Sequence, residues 1–212
     1  MSSESLLPDN LLCKKTQAAE SNKNVILEVL KKELSTNAAV LEIGSGTGQH
    51  AATFCPCLPT IDWIPSDLNS DSFESIISWK KVVGADNMYP PRLIDAASPN
   101  WNIGDVKRIS AIIAINVIHI SSFDVTLGIL NGANKYLDKG GILYFYGPFF
   151  QNNAKPTESN KAFDQYLRNQ NEFWGIRKLD EIEVLAKDRS LHLDKTIKMP
   201  KNNLSVIFQK NT

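Results

Sequence analysis

A short apolar run, Ala39-Val40-Leu41-Glu42-Ile43, leads directly into three alternating glycines, Gly44, Gly46 and Gly48. Such a run suits a buried strand. Glycine at every second position then strips side chains from a tight turn, so backbone can come close to a ligand. Gln49 to Phe54 can open a helix at once, and its first N–H groups are free. A strand, a glycine turn and a helix in that order begin a parallel α/β sheet. A plain turn would not require three glycines, because each one costs backbone entropy.

The rest of the chain repeats the alternation. Val25, Ile26, Val29, Leu30 and Leu34 form a helical stripe that predicts a helix over 18–34. Residues 63–66 predict a second strand ending at Asp67, and 92–94 a third ending at Asp95. Between them Phe73, Ile76, Ile77 and Val83 recur at helical spacing. Residues 110–115 are apolar on both sides, as a central parallel strand should be. A helix follows over 123–137, a turn at Asp138-Lys139-Gly140-Gly141, and a fifth strand over 142–146 that Gly147-Pro148 should break. Two helices are expected over 160–167 and 179–187. Residues 191–199 and 204–209 close the chain as a hairpin around Pro200-Lys201-Asn202-Asn203. The fold expected is α/β: a Rossmann-like, doubly wound, mostly parallel seven-stranded sheet with a C-terminal antiparallel hairpin and helices on both faces. Residues 1–17 are expected to be a flexible N-terminal segment and 18–212 a single domain, a usual size for one.

Bulk properties narrow the function. Lys plus Arg equals Asp plus Glu, 23 of each, a balance that gives no overall electrostatic footprint for nucleic acid and leaves room only for a local basic patch. Residues 1–10 lack the basic start and apolar run of a secretion signal. The longest apolar stretch, residues 109–120, is too short to cross a bilayer and contains Asn116 and His119. Three cysteines (Cys13, Cys55 and Cys57) do not make a disulfide framework, and Cys55-Pro56-Cys57 lacks two further zinc ligands. A reducing compartment, cytosol or nucleus, and no metal are expected.

Glycine spacing separates the candidate ligands. Dinucleotide loops read G-x-G-x-x-G, and phosphate loops end in Gly-Lys-Ser/Thr. Here Gly48 is followed by Gln49 and His50, and the form from Glu42 is E-x-G-x-G-x-G. That form resembles the S-adenosylmethionine loop, whose ligand carries no phosphate and needs no basic residue. An acidic residue ending the second strand would accept two hydrogen bonds from the ribose diol. Asp67, with Leu68 beside it, is in place for this, or else caps the next helix. Asp95 and the backbone N–H of Ala96 could meet the adenine amino edge, or Asp95 is a surface turn carboxylate.

The resemblance then widens. The segments from Leu41 to His50, Trp63-Ile64-Pro65-Ser66-Asp67, Asn116-Val117-Ile118-His119-Ile120-Ser121, Tyr146-Gly147-Pro148-Phe149 and Asn171-Glu172-Phe173-Trp174-Gly175-Ile176-Arg177 occur in that order. Together they resemble the small methyltransferase-like family whose human member is methyltransferase-like protein 26. The resemblance runs over about residues 18–210. It implies a class I methyltransferase fold and S-adenosylmethionine binding. Relatives carry an Arg-Asn-Lys run where this chain has Ser21-Asn22-Lys23. Asn22 is thereby expected at the cofactor, with Lys23 as the point charge replacing the arginine.

Methyl transfer from a sulfonium needs donor and acceptor held in line, and a base where the acceptor must lose a proton. Asn116, His119, Tyr146 and Phe149 fall at the carboxyl ends of strands four and five, the substrate edge of such sheets. His119 is the expected base and Tyr146 the second catalytic candidate, although a histidine there can equally order its own loop. Trp174 is core or a lid. Asn-Val-Ile-His does not match the Asp/Asn-Pro-Pro-aromatic pattern of methyltransferases acting on nucleic-acid bases. The function expected is methyl transfer to a small-molecule acceptor. The alternatives are a non-catalytic cofactor-binding or scaffolding protein and a Rossmann-type oxidoreductase, the latter opposed by the glycine spacing.

Overall fold

A computed structural model describes residues 12–106 and 108–211. In chain order the elements are α1 (Gln17–Glu33), β1 (Ala39–Ile43), α2 (Gln49–Phe54), β2 (Asp62–Asp67), α3 (Phe73–Val83) and β3 (Arg92–Leu93). Then follow β4 (Ile109–Ile115), α4 (Phe123–Tyr136), β5 (Leu137–Phe150), α5 (Glu158–Gln170), β6 (Arg177–Lys178), α6 (Leu179–Lys187), β7 (Leu191–Met199) and β8 (Asn203–Lys210). The sheet runs β3-β2-β1-β4-β5-β8-β7, with β6 attached to the far end of β5. β1 to β5 are parallel, while β8 runs antiparallel to both β5 and β7. The doubly wound sheet with its terminal hairpin is therefore present, and β6 adds a short strand to the seven expected.

Two cores sandwich the sheet, and the strand period of two explains them. Leu41, Ile112, Leu143 and Phe145 face α4 and α6 through Ile129, Leu130 and Ile182. Their neighbours Val40, Ile113 and Tyr144 face α1, α2 and α3 through Ile26, Leu30, Phe54 and Ile76. Both faces of β1 and β4 are buried, so these strands carry continuous apolar runs rather than alternation. Each such aliphatic side chain contributes about 1.5–3 kcal/mol when fully buried.

The segment before α1 is held in place from residue 14 onward. Lys14 N donates to Ser75 Oγ, Trp79 Nε1 donates to Lys14 O, and Thr16 N donates to Gln49 Oε1. Thr16 also caps α1 by accepting from Ala19 N. Residues 1–11 of the segment expected to be flexible lie outside the described residues.

β5 departs from the sequence reading at both ends. Ile109 pairs with Leu137 but Ala111 with Ile142, so the expected turn at 138–141 is a bulge inside one strand. Gly147-Pro148 does not break the strand either. The β4 ladder ends at Tyr146 and the β6 ladder begins at Phe149, so Pro148 sits where its missing N–H removes no parallel pairing.

Chain order places β1 between β2 and β4, which is the switch point where crossovers leave on opposite sides. Residues that follow β1, β2, β3 and β4 line one cleft there.

Candidate active site

The first wall is the glycine turn, which is anchored from beneath. Ser45 N donates to Ser66 O (2.8 Å) and Ser66 N to Ser45 Oγ (3.0 Å). Ser45 Oγ (2.8 Å) and Trp63 Nε1 (3.0 Å) both donate to Glu42 Oε2. Glu42 is only 1% exposed. Burial pushes its carboxyl above the ordinary carboxylate range, against the pull of those two hydrogen bonds. Alternation along β1 turns Glu42 toward Trp63 and away from the opening. Glu42, expected at the cofactor, supports the turn from beneath and is not among the residues lining the cleft above it.

The three glycines have three roles. A Cβ on Gly44 would stand 2.7 Å from Val117 Cγ2, and one on Gly48 would stand 2.9 Å from Ile76 Cγ1. Gly48, also expected at the cofactor, is the N-cap of α2 and lets α3 pack against it. Only Gly46, at φ 52°, has open space where a side chain would go.

A cleft of about 450 Å³ opens above this turn, walled by Gly44, Ser45, Gly46, Asp67, Leu68, Asp95, Ala96 and Asn116. Asp67 Oδ2 accepts from Gly46 N and Oδ1 from Leu68 N, both at 2.8 Å. The N-cap of α3 is Ser72, so Asp67 is not its cap. A carboxylate has about four acceptor positions, which leaves Asp67 capacity toward the cleft. Asp95 Oδ1 accepts from Ala97 N (2.9 Å) and shapes the turn that carries Ala96. Ile43, Ile94, Ile115 and Val125 line the same cleft as apolar walls.

A second cleft, of about 480 Å³, adjoins the first and shares Ala18, Asn116 and Ile120 with it. Asn22, His119 and Tyr146 line this one. Asn116 stands at the junction with φ 59°, a left-handed geometry that asparagine tolerates better than most residues. Its N–H donates to Tyr146 O (2.8 Å) and keeps β4 and β5 paired to their ends. Strained backbone of this kind concentrates at functional sites.

His119 is 3% exposed, and its Nδ1 is buried without a hydrogen-bond partner. Burial first, then the charge of Arg177, pulls its pKa down to about 4, so the ring is neutral at pH 7. Asn203 Nδ2 donates to the Tyr146 hydroxyl (3.2 Å), and burial pushes that phenol upward. Asn22 Oδ1 lies 2.8 Å from His50 Nε2, a histidine that burial likewise pulls to about 4. Asn22 therefore reaches the first cleft only through His50. Lys23, expected to replace the arginine, pairs with Glu20 (2.8 Å) and lines a separate surface recess. Phe149, expected on the substrate side, packs in the core with α6, and Trp174 lines neither cleft.

Several residues escaped the sequence reading. Thr16, Ala18 and Ala19 bring the start of α1 over the first cleft, and His50 enters it from α2. Arg177 holds the 116–121 loop: Nε donates to Ile118 O (2.9 Å), and Nη2 donates to Ser121 O (2.5 Å) and Phe173 O (3.0 Å). Gly175 N adds a bond to His119 O (3.0 Å). The only sequence signal for this clamp was the segment 171–177 itself.

The sheet order and the clefts at its carboxyl edge define an α/β Rossmann-like fold, and solved structures share it. A putative O-methyltransferase from Nostoc punctiforme superposes with a TM-score of 0.76 at 14% identity, over 91% of this chain and 57% of that one. An O-methyltransferase family protein from Burkholderia thailandensis gives 0.71 at 10% identity, over 98% and 64%. Human N-acetylserotonin methyltransferase, in complex with S-adenosylmethionine, gives 0.70 at 12%, over 92% and 53%. This chain thus spans little more than half to under two thirds of those proteins. Residues 13–210 match the family described as "Protein of unknown function (DUF938)", and the chain belongs to that family.

Proposed function

We propose that this protein is an S-adenosylmethionine-dependent methyltransferase acting on a small molecule, and that human methyltransferase-like protein 26 is among its relatives. The observation that carries the reading is the meeting of two clefts at Asn116, Ala18 and Ile120. One has a glycine turn with room at Gly46 and a carboxylate at Asp67; the other has a neutral buried histidine. A donor and an acceptor held on either side of Asn116 would be aligned for transfer, which is most of the catalysis this chemistry needs. Three thiols without a disulfide among them support a reducing compartment, cytosol or nucleus.

The residues fit the cofactor by chemistry. Asp67 would accept from the ribose hydroxyls, and the Asp95-Ala96 turn would meet the adenine. Gly44 and Gly46 would admit the chain between ribose and methionine, toward Thr16, Ala18 and His50. When bound, the cofactor supplies an electrophilic methyl group on a sulfonium. His119, neutral at pH 7 but made a weaker base by burial, can accept a hydrogen bond from an acceptor hydroxyl and assist loss of its proton, and the Arg177 clamp keeps its loop in position. The neutral charge balance disfavours nucleic acid as acceptor.

Calorimetric titration with S-adenosylmethionine tests the reading. Tight one-to-one binding is expected in the parent. Gly46→Val should abolish it while the protein stays folded by circular dichroism. Gly46→Asn, which tolerates left-handed backbone, separates blockage from strain. Folded variants that bind as tightly as the parent would remove the turn from the site.

A further inference from the structure

Among the described residues, the wall of the second cleft carries no carboxylate. It has four asparagines (Asn22, Asn116, Asn160 and Asn203), and Lys201 is the one charged residue among the described residues that line it. A protonated amine entering here would lose water and gain no counter-charge, which is costly. An anion would meet the opposite situation.

Lys201 is held at this wall by a fixed turn. It and Asn202 adopt φ 59° and 60° between β7 and β8, two consecutive left-handed residues. Asn160 Nδ2 donates to Asn202 O (3.3 Å), and Asn202 Nδ2 donates to Ser159 Oγ (2.9 Å), tying the turn to α5. Asn203 Nδ2 bridges Pro200 O and the Tyr146 hydroxyl, each at 3.2 Å. A free surface turn would relax rather than hold this geometry.

The second observation is His119, whose ring lines the same wall; its Nδ1, packed beside Gly147, has no hydrogen-bond partner. A buried imidazole with hydrogen-bonding capacity left unused is rare in folded proteins. Phe163 from α5 meets the His119 ring edge-on at 5.8 Å between centroids. Its ring is 37% exposed and stacks with Tyr166, so an apolar, planar surface adjoins the polar one.

We infer that the second cleft takes a small organic anion that also bears a hydroxyl, its acid group against Lys201 and its hydroxyl hydrogen-bonded to the imidazole of His119. Amines and lysine side chains are disfavoured, since the described wall offers them no carboxylate. Calling this molecule the methyl acceptor rests on the proposed function; the anion preference itself does not.

The test is calorimetric titration of the protein with 4-hydroxybenzoate and with 4-hydroxybenzamide, at saturating S-adenosylhomocysteine. The acid should bind about tenfold more tightly than the amide, the scale of one charge-assisted hydrogen bond. Lys201→Asn, which accepts the left-handed backbone, should erase that preference and leave amide affinity unchanged. Equal or tighter binding of the amide, a preference that survives Lys201→Asn, or no binding of the acid at millimolar concentration would each overturn the inference. If S-adenosylhomocysteine itself fails to bind, the cofactor reading falls. The same pair of titrations on the cofactor-free protein then still decides whether the cleft selects anions.

Discussion

Replacing Glu42 separates support of the glycine turn from contact with the ligand. Its Oε2 receives Ser45 Oγ at 2.8 Å and Trp63 Nε1 at 3.0 Å, and the side chain is 1% exposed. Glu42→Ala strands two buried donors, each costing about 1–3 kcal/mol, so a total near 3–5 kcal/mol is expected after partial relaxation. Glu42→Gln keeps an oxygen able to accept both donors and removes a charge that burial and Asp67 already disfavour, so it should cost about 1 kcal/mol. Urea unfolding of both variants at pH 7 gives the stabilities, and calorimetry with S-adenosylhomocysteine gives the affinities. Glu42→Gln should bind nearly as the parent does, because nothing in the cleft has been taken away. Two results would refute the reasoning. A Glu42→Ala variant less than about 1 kcal/mol weaker would mean that the network does not hold the turn. A stable Glu42→Gln variant that binds no cofactor would mean that the carboxylate is a contact after all.

Asp67→Ala should weaken S-adenosylhomocysteine by about 1–3 kcal/mol, and an analogue lacking a ribose hydroxyl should lose less affinity with the variant than with the parent. Simple addition of the two losses would remove Asp67 from the ribose. With the acceptor in hand, His119→Asn should lower kcat about a hundredfold while cofactor affinity stays intact. The acid limb of the parent's rate profile should fall near pH 4 rather than near 6.5, since protonation of the buried ring occurs there; normal turnover by the variant would leave alignment alone as the catalyst. His50 and His119 are depressed from 6.5 to about 4 in the folded chain, so between those values the unfolded chain binds more protons. Stability is therefore full above about pH 6.5 and is lost as pH falls, by about 2 kcal/mol per histidine at pH 5. Urea midpoints across this range should show that slope, and a double His50→Gln, His119→Gln variant that kept it would assign it elsewhere.

Local sequence was enough for the α/β alternation, the C-terminal hairpin and the placing of Gly46, Asp67, Asp95, Ala96 and Asn116 at one edge. Each of these follows an apolar run, and in a parallel sheet the ends of such runs necessarily share that edge. Tertiary structure decided what those residues touch. Glu42 and Gly48 sit in the same short motif as Gly46, yet Trp63 and Ile76, both from elsewhere in the chain, claim them for support and packing. Pro148 reads as a strand breaker because proline lacks an N–H, and only the register of β4 and β6 reveals that no parallel pairing is lost there. The second cleft is the furthest from sequence: α1, the 116–121 loop, α5 and the β7–β8 turn meet in it. Arg177 binds carbonyl oxygens, which every residue possesses, so its partners leave no mark in the sequence. Periodicity and spacing are local and carry the elements; which long-range partner satisfies a buried polar group is settled only when the sheet brings distant segments together.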